Sequence, residues 1–127
     1  MKEPKVLIVD DENLLLELLT ESFTKHEIQN EKANCFSVAL EKLRESSYDL
    51  VLSDIRIKDK AGIDILGFLE KIETESLMAS KNIVLMSGYS DLDFQEVEKM
   101  GVAEIIAKPF MPRKIVPKLI KYLRHND

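Results

Sequence analysis

Five polar residues, Asp10, Asp11, Asp54, Ser87 and Lys108, each close a short apolar run: VLIVDD, LVLSD, IVLMS and IIAK. Gathered in one place, three carboxylates repel one another, and their pKa values rise unless a cation neutralises them. A hard divalent ion answers that need. Mg2+ takes one or two carboxylates together with waters and phosphate oxygens, whereas zinc wants imidazoles or thiolates at ligand spacing, which His26 and His125 do not offer. A carboxylate is also a competent nucleophile toward phosphorus, giving an aspartyl phosphate, provided that the charge on the incoming phosphoryl group is met. Lys108 offers a compact cation on a flexible stem, Ser87 a hydrogen-bond donor, and Gly88 open space beside it. Taken singly, a strand-ending Asp or Ser is equally a turn former or helix cap; their conjunction favours chemistry.

The elements that would position these residues follow from the apolar pattern. Val6 to Val9, Leu50 to Leu52, Ile83 to Met86 and Ile105 to Ala107 are continuous apolar runs, as expected of strands covered on both faces. A weaker strand is expected near Lys32 to Phe36. Helical spacing joins Leu15, Leu18, Leu19 and Phe23, then Val38, Ala39 and Leu43 behind a possible Ser37 cap, then Ile65, Leu66, Leu69 and Ile72. Val97 and Met100, ended by Gly101, mark a fourth helix, and Ile115, Leu119, Ile120 and Leu123 a fifth. Five βα units imply an α/β fold with a parallel sheet wrapped by helices on both sides. In such sheets ligands bind beyond the carboxyl ends of the strands, where all five polar residues fall.

Composition narrows the field. At 127 residues, 45% hydrophobic and 32% charged, the chain reads as one domain over residues 1–127, with any effector domain absent or cut away. A net charge of −5 argues against direct nucleic-acid binding. No stretch approaches the ~18 apolar residues of a membrane span, so a cytoplasmic location is expected. Cys35 stands alone, excluding an intrachain disulfide, and is read as a buried, reduced thiol.

The motifs VLIVDDE, DLVLSDIRI, VLMSGYSD and IIAKPF, in this order and spacing, resemble the receiver domain of two-component response regulators over nearly the whole chain. The resemblance implies a flavodoxin-like fold with strand order 2-1-3-4-5, and a phosphoacceptor at Asp54 that receives its phosphoryl group from a histidine kinase or histidine phosphotransfer protein. It further implies Mg2+ held by Asp11, Asp54 and the backbone carbonyl of Arg56, with Asp10 assisting through water. Ser87 and Lys108 would sense phosphorylation and reshape the surface of the fourth helix, fifth strand and fifth helix for an effector. The Lys108–Pro109 bond would be cis.

Three departures from the family pattern carry expectations. Where the family places a rigid turn such as Met-Pro-Gly after the third strand, this chain has Ile57, Lys58 and Asp59, so a looser, more charged loop is expected; Gly62 keeps the family's glycine. Ile105 stands where a switching aromatic is usual, which shifts the expected output toward backbone motion from Ser87 to Asp91 with Tyr89 taking part. Pro117 falls inside the last helix and should bend it. Arg56 and Tyr89 flank the expected path of attacking water and would tune the lifetime of the phosphorylated state. Basic residues on the fifth helix (Arg113, Lys114, Lys118, Lys121, Arg124) and acidic ones on the fourth (Asp91, Asp93, Glu96, Glu98) suit solvated faces, a charged docking surface or a homodimer.

The rival readings differ in kind. A receiver-like interaction module that is never phosphorylated predicts a damaged site, which this is not. A phosphatase using an Asp nucleophile and Mg2+ wants a second Asp two residues on, where Arg56 stands. A flavin carrier wants a phosphate cradle where Asp10 and Asp11 would repel phosphate.

Overall fold

A computed structural model describes residues 3–88 and 94–123. Strands β1 (Lys5–Val9), β2 (Gln29–Ala33), β3 (Leu50–Asp54), β4 (Ile83–Ser87) and β5 (Glu104–Ala107) alternate with helices α1 (Asn13–Lys25), α2 (Phe36–Glu45), α3 (Ile65–Thr74), α4 (Phe94–Lys99) and α5 (Pro112–Leu119). Every strand pair is parallel, and the order is β2-β1-β3-β4-β5. This is the flavodoxin-like α/β arrangement that the motifs implied.

The period-two alternation of strand side chains sorts the core into two layers. Leu7, Val9, Val51, Ile83 and Leu85 face α2, α3 and Val97 of α4, and there the rings of Phe36 and Phe68 meet at 4.9 Å. Val6, Ile8, Leu50, Leu52, Val84 and Met86 face α1 and α5, around Phe23 and Leu119. Because both faces are covered, the three central strands are almost wholly buried, which explains their unbroken apolar runs.

Four local expectations are corrected. The second strand runs from Gln29 to Ala33, three residues earlier than the sequence suggested. An edge strand paired only with β1 needs no apolar run, and Phe36 is given to α2 instead. The buried stripe of α1 is Leu16, Leu19 and Phe23, leaving Leu18 exposed and Leu15 half-buried. Ser37 does not cap α2; the N-cap is Cys35, a residue half-buried rather than buried.

Pro112 opens α5, as its fixed φ allows. The helix passes Pro117, which lies on the exposed face, and after Leu119 tightens into a 3-10 turn, Ile120–Leu123. Gly101 ends the α4 segment at φ 80°, and Gly62 has φ 79°; both need the left-handed freedom of glycine.

Candidate functional site

Strand register brings the polar residues to one level. Val9 pairs with Ser53, so Asp10 stands beside Asp54; Asp54 pairs with Met86, so Ser87 lies one step beyond. Ser87 pairs with Ala107, and Lys108 follows it. The Lys108 amide donates to the Ser87 carbonyl at 2.8 Å, and the Lys108–Pro109 peptide is cis.

Carboxylate oxygens of Asp10, Asp11 and Asp54 all lie within 4.8 Å of one another. Asp10 is fully buried and Asp54 nearly so, while Asp11 is exposed at the rim. Lys108 reaches back across β4 to place Nζ 3.0 Å from Asp54 Oδ2 and 3.5 Å from Asp10 Oδ2. The other oxygens are held by main chain. Asp54 Oδ1 accepts the Ile55 amide at 2.8 Å, and Asp10 Oδ1 accepts the Glu12 amide at 3.0 Å. Asp10 Oδ2, buried, has no hydrogen-bond partner among the described residues.

Electrostatics follow from that crowding. Burial pushes the Asp10 carboxyl up to about 6, aided by the charges of Asp54 and Asp11 and opposed by the Glu12 amide and Lys108. Burial alone would lower Lys108, but its hydrogen bond to Asp54 and the charges of Asp54, Asp10 and Glu12 hold it above its ordinary value. The site thus carries more negative charge than one lysine balances, with a buried oxygen, Asp10 Oδ2, that accepts no hydrogen bond among the described residues and meets only the Lys108 charge at 3.5 Å. That donor set fits a hard divalent cation, and the three aspartates could hold one.

Other residues singled out in the sequence are placed more loosely. Ser87 is half-buried at the end of β4, its Oγ 3.2 Å from the Gly88 carbonyl. The Arg56 side chain is exposed just after β3. Ile105 pairs with Leu85 and packs, partly buried, on the α2–α3 side of the sheet. Tyr89, Asp91 and Asp93 lie outside the described residues.

Two features were not read from the sequence. The loop after β3, expected to be loose, is fastened. Asp59 Oδ1 accepts the Ser37 amide at 3.1 Å, and Oδ2 accepts the Ser37 hydroxyl at 2.9 Å and the Ile63 amide at 3.1 Å. Its partial burial works the other way, yet these donors, with the Cys35 thiol, hold Asp59 down at about 2. The Lys58 amide, which a proline there would lack, donates to Asp11 Oδ2 at 3.4 Å. Only the charge of Asp59 and its distance from a helix start were visible in one dimension, and neither names a partner 22 residues away.

Comparison with known proteins converges on one group. The sequence matches the profile of the response regulator receiver domain over residues 6–120. Sporulation initiation phosphotransferase F of Bacillus subtilis (strain 168) is 35% identical over 124 residues, covering 97% of this chain and 96% of that protein. Chemotaxis protein CheY of Thermotoga maritima is 33% identical over 119 residues, covering 92% and 95%. Sensory transduction protein LytT of Bacillus cereus is 36% identical over 126 residues, but the chain spans only 48% of its length. Among solved structures, chemotaxis response regulator CheY4 of Vibrio cholerae superposes with a TM-score of 0.82 at 21% identity, covering 96% of this chain and 100% of that one. A receiver domain from Methanospirillum hungatei gives 0.81 at 24% identity, covering 96% and 94%. At those identities the superpositions speak for the fold.

Proposed function

The chain belongs to the response regulator receiver domain family, and from that premise we propose that Asp54 accepts a phosphoryl group from the phosphohistidine of a partner kinase or phosphotransfer protein. The observation that carries this reading is the placement of Asp54: nearly buried at the end of β3, with Lys108 Nζ 3.0 Å from one oxygen and the Asp10 and Asp11 carboxylates beside it. The Ile55 amide holds Oδ1 against the main chain, and Oδ2, facing the Lys108 side chain, is the oxygen we assign to the attack. As the new O–P bond forms, the P–N bond to the imidazole breaks, and the imidazole nitrogen keeps the electron pair and takes up a proton. Lys108 then turns its charge from the carboxylate to a phosphoryl oxygen, and Ser87 donates its hydroxyl to another.

Asp10, Asp11, Asp54 and the Arg56 carbonyl would hold Mg2+, which supplies positive charge against the phosphoryl oxygens. The buried Asp10 Oδ2, which accepts no hydrogen bond among the described residues, and the excess negative charge support that assignment. Arg56 and Tyr89 tune how long the phosphorylated state lasts, and Ile105 takes the place of a switching aromatic. Output passes through α4, β5 and α5, whose exposed Arg113, Lys114 and Lys118 suit an acidic effector surface or a second copy of the chain. We take residues 1–127 as one receiver domain acting in the cytoplasm on its own Asp54 and turning over no separate metabolite.

Intact-mass measurement after treatment with a small acyl phosphate tests the proposal. The parent chain should gain one phosphoryl group with Mg2+ and none without it, and Asp54→Ala should gain none. An adduct that persists in Asp54→Ala would overturn the assignment.

A further inference from the structure

We propose that Asp59 is a positioning residue that fastens the loop after β3 to the start of α2, so that the Lys58 amide can orient the Asp11 carboxylate for a divalent cation. This rests on the metal reading above and deepens it. The loop lacks the proline of the family pattern, and its backbone turns back through a 2.9 Å bond from the Gly62 amide to the Asp59 carbonyl. The Asp59 side chain supplies three more bonds, two to Ser37 in the first turn of α2 and one to the Ile63 amide ahead of α3. The Ser37 amide is one of the donors that a helix N-terminus leaves without an intrahelical acceptor, and no side chain at the N-cap takes it. Asp59 therefore caps α2 from 22 residues away and bridges it to α3.

The consequence reaches the acidic cluster through the next residue. Lys58 is held between the end of β3 and the anchored Asp59, and its amide points at Asp11 Oδ2. Asp11 is the exposed member of the three aspartates and has the most freedom to turn away. A lysine here keeps the N–H that proline would lose, and Asp59 restores the rigidity that proline would have given. The two departures compensate each other: one residue provides the donor, the other keeps it in place. A group that orients a metal-binding side chain without touching the metal commonly governs affinity by about tenfold or more.

Calorimetric titration of Mg2+ into the 127-residue chain, with amide hydrogen exchange at Ser37 in parallel, tests this. Asp59→Ala should bind Mg2+ about tenfold more weakly and expose the Ser37 amide to exchange. Ser37→Ala changes no charge and should weaken binding by a smaller factor, and the double variant should bind no worse than Asp59→Ala. Asp64→Ala removes the cap of α3, where the side chain accepts the Gly67 amide at 2.8 Å, and should lower thermal stability while leaving Mg2+ affinity at the parent value. Equal binding by the parent and Asp59→Ala would overturn the inference alone. A loss in Asp59→Ala with none in Ser37→Ala would overturn it in favour of simple charge attraction, and an equal loss in Asp64→Ala in favour of general loosening. Failure of the parent itself to bind would overturn the metal reading, and this inference with it.

Discussion

Asp10 shows most directly what the site costs the fold. Its folded pKa of about 6 lies above its ordinary value of 3.8, so the metal-free native state binds that proton more tightly than the unfolded chain does. The resulting stability is fully present below about pH 4 and is lost as pH rises through about 6, a swing on the order of 2–3 kcal/mol. Without divalent ions, Asp10→Asn should therefore unfold at a higher temperature than the parent at pH 7, and the gap should close toward pH 4. An unchanged gap in a pair of thermal scans would contradict the burial argument. Lys108 has the opposite role. Lys108→Met leaves Asp54 Oδ2 and Asp10 Oδ2 facing each other without the cation that now sits 3.0 and 3.5 Å away. It should abolish the phosphoryl adduct in intact-mass spectra and lower stability more at pH 7 than at pH 5, where protonated Asp10 no longer needs a counter-charge.

Among the elements, the Asp59 bridge has its own acid signature. A carboxyl held near 2 contributes stability that is present above about pH 4 and is lost as pH falls through 2. Asp59→Asn should shift the acid-unfolding midpoint, followed by circular dichroism, to higher pH. In α5, Pro117→Ala restores a backbone donor on the exposed face and should raise stability by about 1–3 kcal/mol in urea unfolding. What the sequence made legible divides along the same physical line. Strands β1, β3 and β4 could be read because burial on both faces demands unbroken apolar runs, and Asp10, Asp54, Ser87 and Lys108 because each ends such a run. Edge strand β2, with its QNEKA sequence, answers to one neighbour only and left no such mark. The face of α1 was read one position away from Leu16 because five leucines among Leu14–Leu19 fit more than one stripe. The cap of α2 was missed because its acceptor, Asp59, comes from a distant loop, and local spacing cannot report a tertiary bond.

For the molecule as a whole, the sheet divides the core into two clusters that share no side chain. Ile8→Val on the α1–α5 side and Ile72→Val on the α2–α3 side should each cost about 0.5–1.5 kcal/mol. Their effects should add to within about 0.5 kcal/mol in the double variant, because neither cavity touches the other's neighbours. A large deviation in denaturant midpoints would show that the two layers respond as one. The strand order carries a further consequence for the charge of the site. Asp10 and Asp54 belong to adjacent central strands, whereas Lys108 arrives with β5 at the sheet's far edge. Lys108 lies 54 residues after Asp54 in the chain, so the segment through β4 carries the mutual repulsion of the two carboxylates without the cation that offsets it in the whole domain. The last strand in the chain is therefore the one that sets the charge balance of the site, and the sheet's edge is where that balance is decided.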